Sequence, residues 1–128
     1  MGSGRITKLL DSVIVIDHLN GIEAASNYLR LHHSEAAISV ITRAEVLAGV
    51  RHEDRIPATA RLLDQLFTYS IDAITTDLAA HLRRQFRWKL PDAMQAAIAQ
   101  RYHLQLVTRN LKDFPPERYP FVTVPYTP

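Results

Sequence analysis

Apolar residues come in short blocks separated by polar turns, and the blocks switch between a strand-like and a helical period. Lys8-Leu9-Leu10 predicts a short buried strand. Asp11-Ser12, a favoured helix N-cap pair, follows it, so a strand-to-helix turn falls at Asp11. Apolar positions 13–16 make that helix largely buried, and Asn20-Gly21 ends it. Residues 22–33 carry Ile22, Ala25, Tyr28 and Leu29 at helical spacing. Residues 36–40 predict a second strand, and 41–50 a helix with Ile41, Ala44, Leu47 and Ala48 on one face. Residues 55–67 predict an amphipathic helix through Leu62, Leu63, Leu66 and Phe67. Residues 68–74 predict a third strand, after which Thr75-Thr76-Asp77 caps a helix to about Arg87. Leu90-Pro91-Asp92 opens the next helix, since Pro fits a first turn, and it runs to about Tyr102. Residues 104–108 predict a fourth strand, 110–120 a Pro-rich loop and 121–124 a last strand. Short apolar strands alternating with helices predict an α/β fold with a parallel sheet covered on both faces. Sites in such sheets form beyond the carboxyl ends of the strands.

Composition narrows the class. The chain has 128 residues, a length for a single domain, with Met1-Gly2-Ser3-Gly4 set apart as a tag remnant or a native start. A hydrophobic share of 47% and a charged share of 22% are ordinary globular proportions and speak against disorder, collagen and coiled coil. The absence of cysteine excludes a disulfide scaffold, a thiolate zinc site and a cysteine nucleophile, and fits a reducing cytosol. A formal net charge of +2 is too small to announce nucleic-acid binding by itself. The richest apolar run, residues 6–19, is broken by Lys8, Asp11 and Asp17, so neither a membrane span nor a signal peptide is expected. The expectation is a soluble cytoplasmic protein. A nucleotide-binding Rossmann fold is disfavoured, because neither G-x-G-x-x-G nor a P-loop occurs.

Some acids stand where a carboxylate is costly. Asp11 falls at the carboxyl end of the first strand, either as a plain N-cap or as a site residue. Glu45 shares a helix face with Ile41 and Ala48, so it needs an ion-pair partner, a border position or a function. Asp92 lies in a first helical turn, where it complements the dipole, yet Ala96 and Ala99 on its side allow it to point inward. Asn110 and Asp113 follow the fourth strand, where turn chemistry alone explains them or they join a site. Converged carboxylates hold protons or bind a cation, and an Asp/Glu/Asn set without Cys selects a hard metal such as Mg²⁺ or Mn²⁺.

These segments resemble a known family. LLDSVIVIDHLNG (9–21), ISVITRAEVLAG (38–49), WKLPDAMQAAIA (88–99) and LVTRNLKDF (106–114) are similar, in order and separation, to PIN-domain ribonucleases, and more narrowly to VapC toxins of bacterial toxin–antitoxin pairs. The resemblance covers about residues 8–124. It implies a three-layer α/β/α sandwich with a central, mainly parallel sheet, and a metal-dependent endoribonuclease. The family's acids fall on Asp11, Glu45 and Asp92, and its position after the fourth strand falls on Asn110, with Asp113 three residues on. Two departures stand out. Ser12-Val13 replaces the Thr-Asn of many relatives, and Asn110 replaces a frequent Asp, which leaves one-metal and two-metal chemistry both open. The resemblance also implies an RNA substrate (tRNA among the classes), a cognate VapB-type antitoxin whose tail crosses the active-site groove, a homodimer, and a larger complex with the antitoxin.

On this reading Asp11 and Asp92 hold the main ion, and Glu45 ligates through water or orients the attacking water. Asn110 and Asp113 complete the shell or place a second ion. Arg43, Arg109 and Lys112, with Arg87 and Lys89, are candidate phosphate contacts or ordinary surface cations. The six His lack ligand-like spacing, so a metal-free His-pair nuclease is disfavoured. Two rival readings are a PIN nuclease in RNA processing and a catalytically silent PIN-like binding module. Val13 and Asn110 favour the silent module, while Asp11, Glu45 and Asp92 oppose it.

Overall fold

Leu9 and Leu10 are both fully buried yet face opposite sides of one strand, so the sheet they belong to needs cover on both faces. The computed structural model describes residues 5–127; the expectation for residues 1–4 lies outside them. The elements run β1 (Lys8–Leu10), α1 (Ser12–Leu19), α2 (Glu23–His32), β2 (Ala36–Ser39), α3 (Val40–Ala48), α4 (Ile56–Leu63), β3 (Phe67–Tyr69), α5 (Ala73–Phe86), α6 (Leu90–Arg101), β4 (Gln105–Val107) and β5 (Val122–Thr123). The five strands form one sheet in the order β3-β2-β1-β4-β5, and every pairing is parallel. Leu9 aligns with Ala37 on one side and Leu106 on the other.

The pleat sorts the core into two layers. Leu9 and Leu106 face α5 and α6, meeting Ala79, Leu82, Ala93, Ala96 and Ala97, with Trp88, Phe114 and Tyr119 at one end. Leu10, Ile38 and Val107 face the other way, onto Ile14 and Val15 of α1, Val46 of α3 and Leu63 of α4. Each large aliphatic side chain buried this way stabilises the fold by about 1.5–3 kcal/mol. The small residues of α6 let that helix lie close to both the sheet and α5. The α/β/α sandwich is therefore present as expected.

Three local expectations are corrected. The helix expected over 55–67 ends at Leu63, and Phe67, 55% exposed, begins β3 instead. The strand expected over 68–74 is Phe67–Tyr69, and α5 begins at Ala73. Its cap is Asp72, whose side chain accepts from the Thr75 N–H at 2.9 Å, rather than Thr75-Thr76-Asp77. Finally, α3 buries Thr42 and Val46, while Ala44 and Ala48 are exposed. Ser39 caps α3 and starts it at Val40, and Thr42 is accepted inside because its hydroxyl is hydrogen-bonded. Among the described residues, no helix is long and apolar enough to cross a membrane.

Candidate active site

The chain winds outward from β1 through β2 to β3, then crosses back to β4 on the other side of β1. The strand order thus reverses between β1 and β4, where an open α/β sheet leaves a crevice at its carboxyl edge. Asp11 ends β1 at this crevice and caps α1, with its Oδ1 accepting from the Ser12 N–H at 2.8 Å. Thr108, directly after β4, donates its hydroxyl to Asp11 Oδ2 at 2.7 Å. Asp11 is 8% exposed, and these two bonds fix its carboxylate across the switch point.

The other acids arrive from three further segments. Asp92 lies in the first turn of α6 and is half-buried. Burial pushes its carboxyl up to about 6, and the charges of Asp11, Asp113 and Glu45 add to the rise, with Lys89 opposing it. Three of the expected acids thus act on Asp92 through their charge. Glu45, on α3, is exposed, and so are Ala44 and Ala48, so it does not stand on an apolar face. Desolvation of its carboxyl nevertheless raises its pKa, opposed by the Ser12 hydroxyl beside it and supported by Asp11.

Asn110 and Asp113 divide the work left open in the sequence. The Asn110 amide donates to Asp113 Oδ2 at 3.0 Å, and its Oδ1 accepts from the Asp113 N–H at 3.3 Å. Asn110 is spent holding Asp113, and Asp113 is the one whose charge reaches Asp92. Trp88 helps, since its indole N–H donates to the Asp113 carbonyl at 3.1 Å and ties the turn before α6 to this loop.

The donors are hard oxygens throughout, and their mutual repulsion fits a divalent cation. Among the described residues, however, no three His, Asp or Glu side chains form a ready cage for a metal ion. The acids share a field without sharing one coordination sphere. That suits an ion such as Mg²⁺, which keeps several waters and takes only one or two carboxylates directly.

Two expected phosphate contacts are engaged elsewhere. Arg109 forks onto Asp17, with Nε and Nη2 donating to its carboxylate at 2.7 and 2.9 Å. Tyr126 donates to the same carboxylate at 2.9 Å. The Arg109 guanidinium and this hydroxyl hold Asp17 below the usual carboxylate range against the opposing effect of burial. Arg43 pairs with Asp64 at 2.8 Å. Lys89 and Lys112 are exposed, and Lys89 acts on Asp92. Sequence reasoning passed over Thr108, Trp88 and Asp17. Asp17 carried a usable signal, an acid embedded in a buried helix, whereas the Thr108 partnership spans 97 positions and gave none.

A model of the PIN domain matches residues 8–115. The chain belongs to the PIN domain family. This PIN domain is 32% identical over 114 residues to Ribonuclease VapC10 of Mycobacterium tuberculosis, covering 84% of this chain and 85% of that protein. It is also 32% identical over 130 residues to Ribonuclease VapC19 of the same organism, covering 93% and 99%. Among solved structures, a toxin–antitoxin complex from Klebsiella pneumoniae superposes with a TM-score of 0.87 at 34% identity, covering 95% of this chain and all of that one.

Proposed function

We propose that this PIN domain is an endoribonuclease dependent on Mg²⁺ or Mn²⁺, the toxin of a toxin–antitoxin pair acting on RNA in the cytoplasm. One observation carries the reading. Burial, and after it the charges of Asp11, Asp113 and Glu45 from separate elements, raise the carboxyl of Asp92 to about 6 beside the switch point of the sheet. Stability alone gives no reason to gather acids in one place. The ribonuclease names of its relatives supply the reaction class.

In this reading Asp11 and Asp92 hold the main ion, since one is fixed by two hydrogen bonds and the other stands at the centre of the acidic field. Bound there, the cation supplies charge neutralisation at a phosphate oxygen and lowers the pKa of water. Glu45, its basicity raised by desolvation, takes the proton of the attacking water. Asp113 completes the acid set, and Asn110 orients it without serving as a ligand. Thr108 keeps Asp11 directed at the crevice.

A protein antitoxin is the partner this reading requires, and the Klebsiella relative is itself described as a toxin–antitoxin complex. A groove of about 430 Å³ between α1, α2 and α4, lined by Val15, Leu29, Leu62 and Leu66 among others, is the apolar surface such a partner can cover. The testing experiment is cleavage of total RNA by purified, antitoxin-free protein with Mg²⁺, with Mn²⁺ and with EDTA. The expected result is cleavage that needs the metal and is lost in folded Asp11→Asn and Asp92→Asn. Full activity in either folded variant overturns the assignment.

A further inference from the structure

One buried polar cluster lies outside the acid set and has no part in the chemistry above. Gln95 is 2% exposed on α6, a helix whose other buried positions are mainly small: Ala93, Ala96, Ala97 and Ala99. Its Oε1 accepts from the Ser39 hydroxyl at 2.7 Å, and its Nε2 donates to Thr42 Oγ1 at 2.6 Å. Thr42 Oγ1 donates in turn to the Leu10 carbonyl at 3.2 Å, and the Thr42 N–H donates to Ser39 Oγ at 3.2 Å. Ser39 and Thr42 are wholly buried. Both hydroxyls therefore donate and accept, and both ends of the amide are engaged.

The placement of these groups gives them a use. Gln95 lies one helical turn after Asp92 on α6. Thr42 lies about one turn before Glu45 on α3. Leu10 directly precedes Asp11. Gln95, Thr42 and Leu10 are thus each within a turn of a different acid, and the three acids come from elements far apart in sequence. Apolar contact between α6 and the sheet is non-directional and tolerates sliding. An amide–hydroxyl chain is directional and fixes one separation.

We propose that Gln95, through Ser39 and Thr42, is a positioning residue that sets the spacing of Asp92, Glu45 and Asp11. Its task is to hold the acids at the separation a hydrated divalent cation needs. The inference rests on the metal-dependent reading of the site. It predicts that an apolar residue at position 95 leaves a folded protein with a loosened site. Groups that orient metal-binding carboxylates without touching the ion change affinity by roughly ten- to a hundredfold when removed.

The test uses full-length Gln95→Met, Thr42→Val and the double variant, each checked for fold by circular dichroism and thermal melting. Mn²⁺ binding is titrated by electron paramagnetic resonance without RNA, and RNA cleavage is measured separately. Gln95→Met is expected to weaken Mn²⁺ binding about tenfold and to lower kcat with little change in KM. The double variant is expected to bind no more weakly than the worse single one, because both break the same chain. Wild-type Mn²⁺ affinity in folded Gln95→Met, or additive losses in the double variant, overturns the proposal. If Gln95→Met does not fold, Thr42→Val decides by the same criterion. Failure of the nuclease reading shows elsewhere, as a wild-type protein that does not cleave RNA, and the ratio of Mn²⁺ affinities still decides the role of Gln95. A wild-type protein that binds no Mn²⁺ overturns both.

Discussion

Asp92 is the candidate site acid whose surroundings move its carboxyl furthest. Its carboxyl, raised to about 6, favours the protonated form in the folded state, while the unfolded chain releases that proton near 3.8. The sign follows by linkage. The contribution of Asp92 to stability is fully present below about pH 4 and is lost as pH rises through about 6, because the folded state must then carry a repelled charge. In EDTA, the melting temperature should therefore fall across that window in the wild type and not in Asp92→Asn. At neutral pH, Asp92→Asn should melt roughly 3 °C higher, a modest gain because the group is only half-buried and solvent screens it. Mg²⁺ should stabilise the wild type more than the variant in the same scan. A variant that melts lower than wild type in EDTA would refute the acidic field. Asp17 is the opposite case, a carboxylate satisfied by Arg109 and Tyr126. Asp17→Leu should cost about 2 kcal/mol in urea unfolding, since it strands a partly buried guanidinium. Direct phosphate binding by Arg109 would instead show as weaker RNA binding at unchanged stability.

At the scale of elements, the short turn between α5 and α6 links packing to chemistry. Arg87 takes a left-handed backbone conformation there (φ 61°), and Arg83 donates to the Trp88 carbonyl at 2.8 Å, closing the turn. Trp88 then stacks on Phe86 and meets Phe114 and Tyr119, while its N–H reaches the carbonyl of Asp113. One side chain thus anchors both the entrance to the Asp92 helix and the Asp113 loop. Trp88→Phe keeps most of the ring contact and loses the hydrogen bond. It should lower the unfolding free energy by only about 1 kcal/mol, yet reduce RNA cleavage several-fold. Equal losses in both would mean that Trp88 serves packing alone. The element boundaries that moved were those set by competing local signals. Leu62, Leu63, Leu66 and Phe67 share helical spacing, but hydrogen bonding to β2 draws Phe67 into the sheet. The strong local signals gave boundaries close to those observed, such as Asp11-Ser12 starting α1 and Leu-Pro-Asp opening α6.

For the whole molecule, the net charge is only +2 and two of the cations beside the site are already paired, so RNA binding through phosphates should depend weakly on salt. Lys89 and Lys112 are the exposed cations nearest the acids along the chain, whereas Arg43 and Arg109 are held by Asp64 and Asp17. Two phosphate contacts on single-stranded RNA predict a slope of about −1.5 in log K against log salt. Fluorescence anisotropy with Asp92→Asn across a KCl series measures it, and a slope steeper than about −4 would mean that the paired arginines leave their partners to bind. Local patterning along the chain was enough for the alternation of strands and helices, the parallel sandwich, and the candidacy of Asp11, Glu45, Asp92, Asn110 and Asp113. It sufficed because periodicity, caps and costly acids are local signals, and four segments in register resemble one family. How those residues divide their work emerges only in the folded chain. Thr108 reaches Asp11 across the switch point, Asn110 braces Asp113, Arg109 turns to Asp17, and Gln95 joins α6 to β2 and α3. Apart from the Asn110–Asp113 pair, only three residues apart, these are bonds between residues distant in the chain, and which polar group meets which is fixed only when the sheet order and the close approach of α6 bring them together.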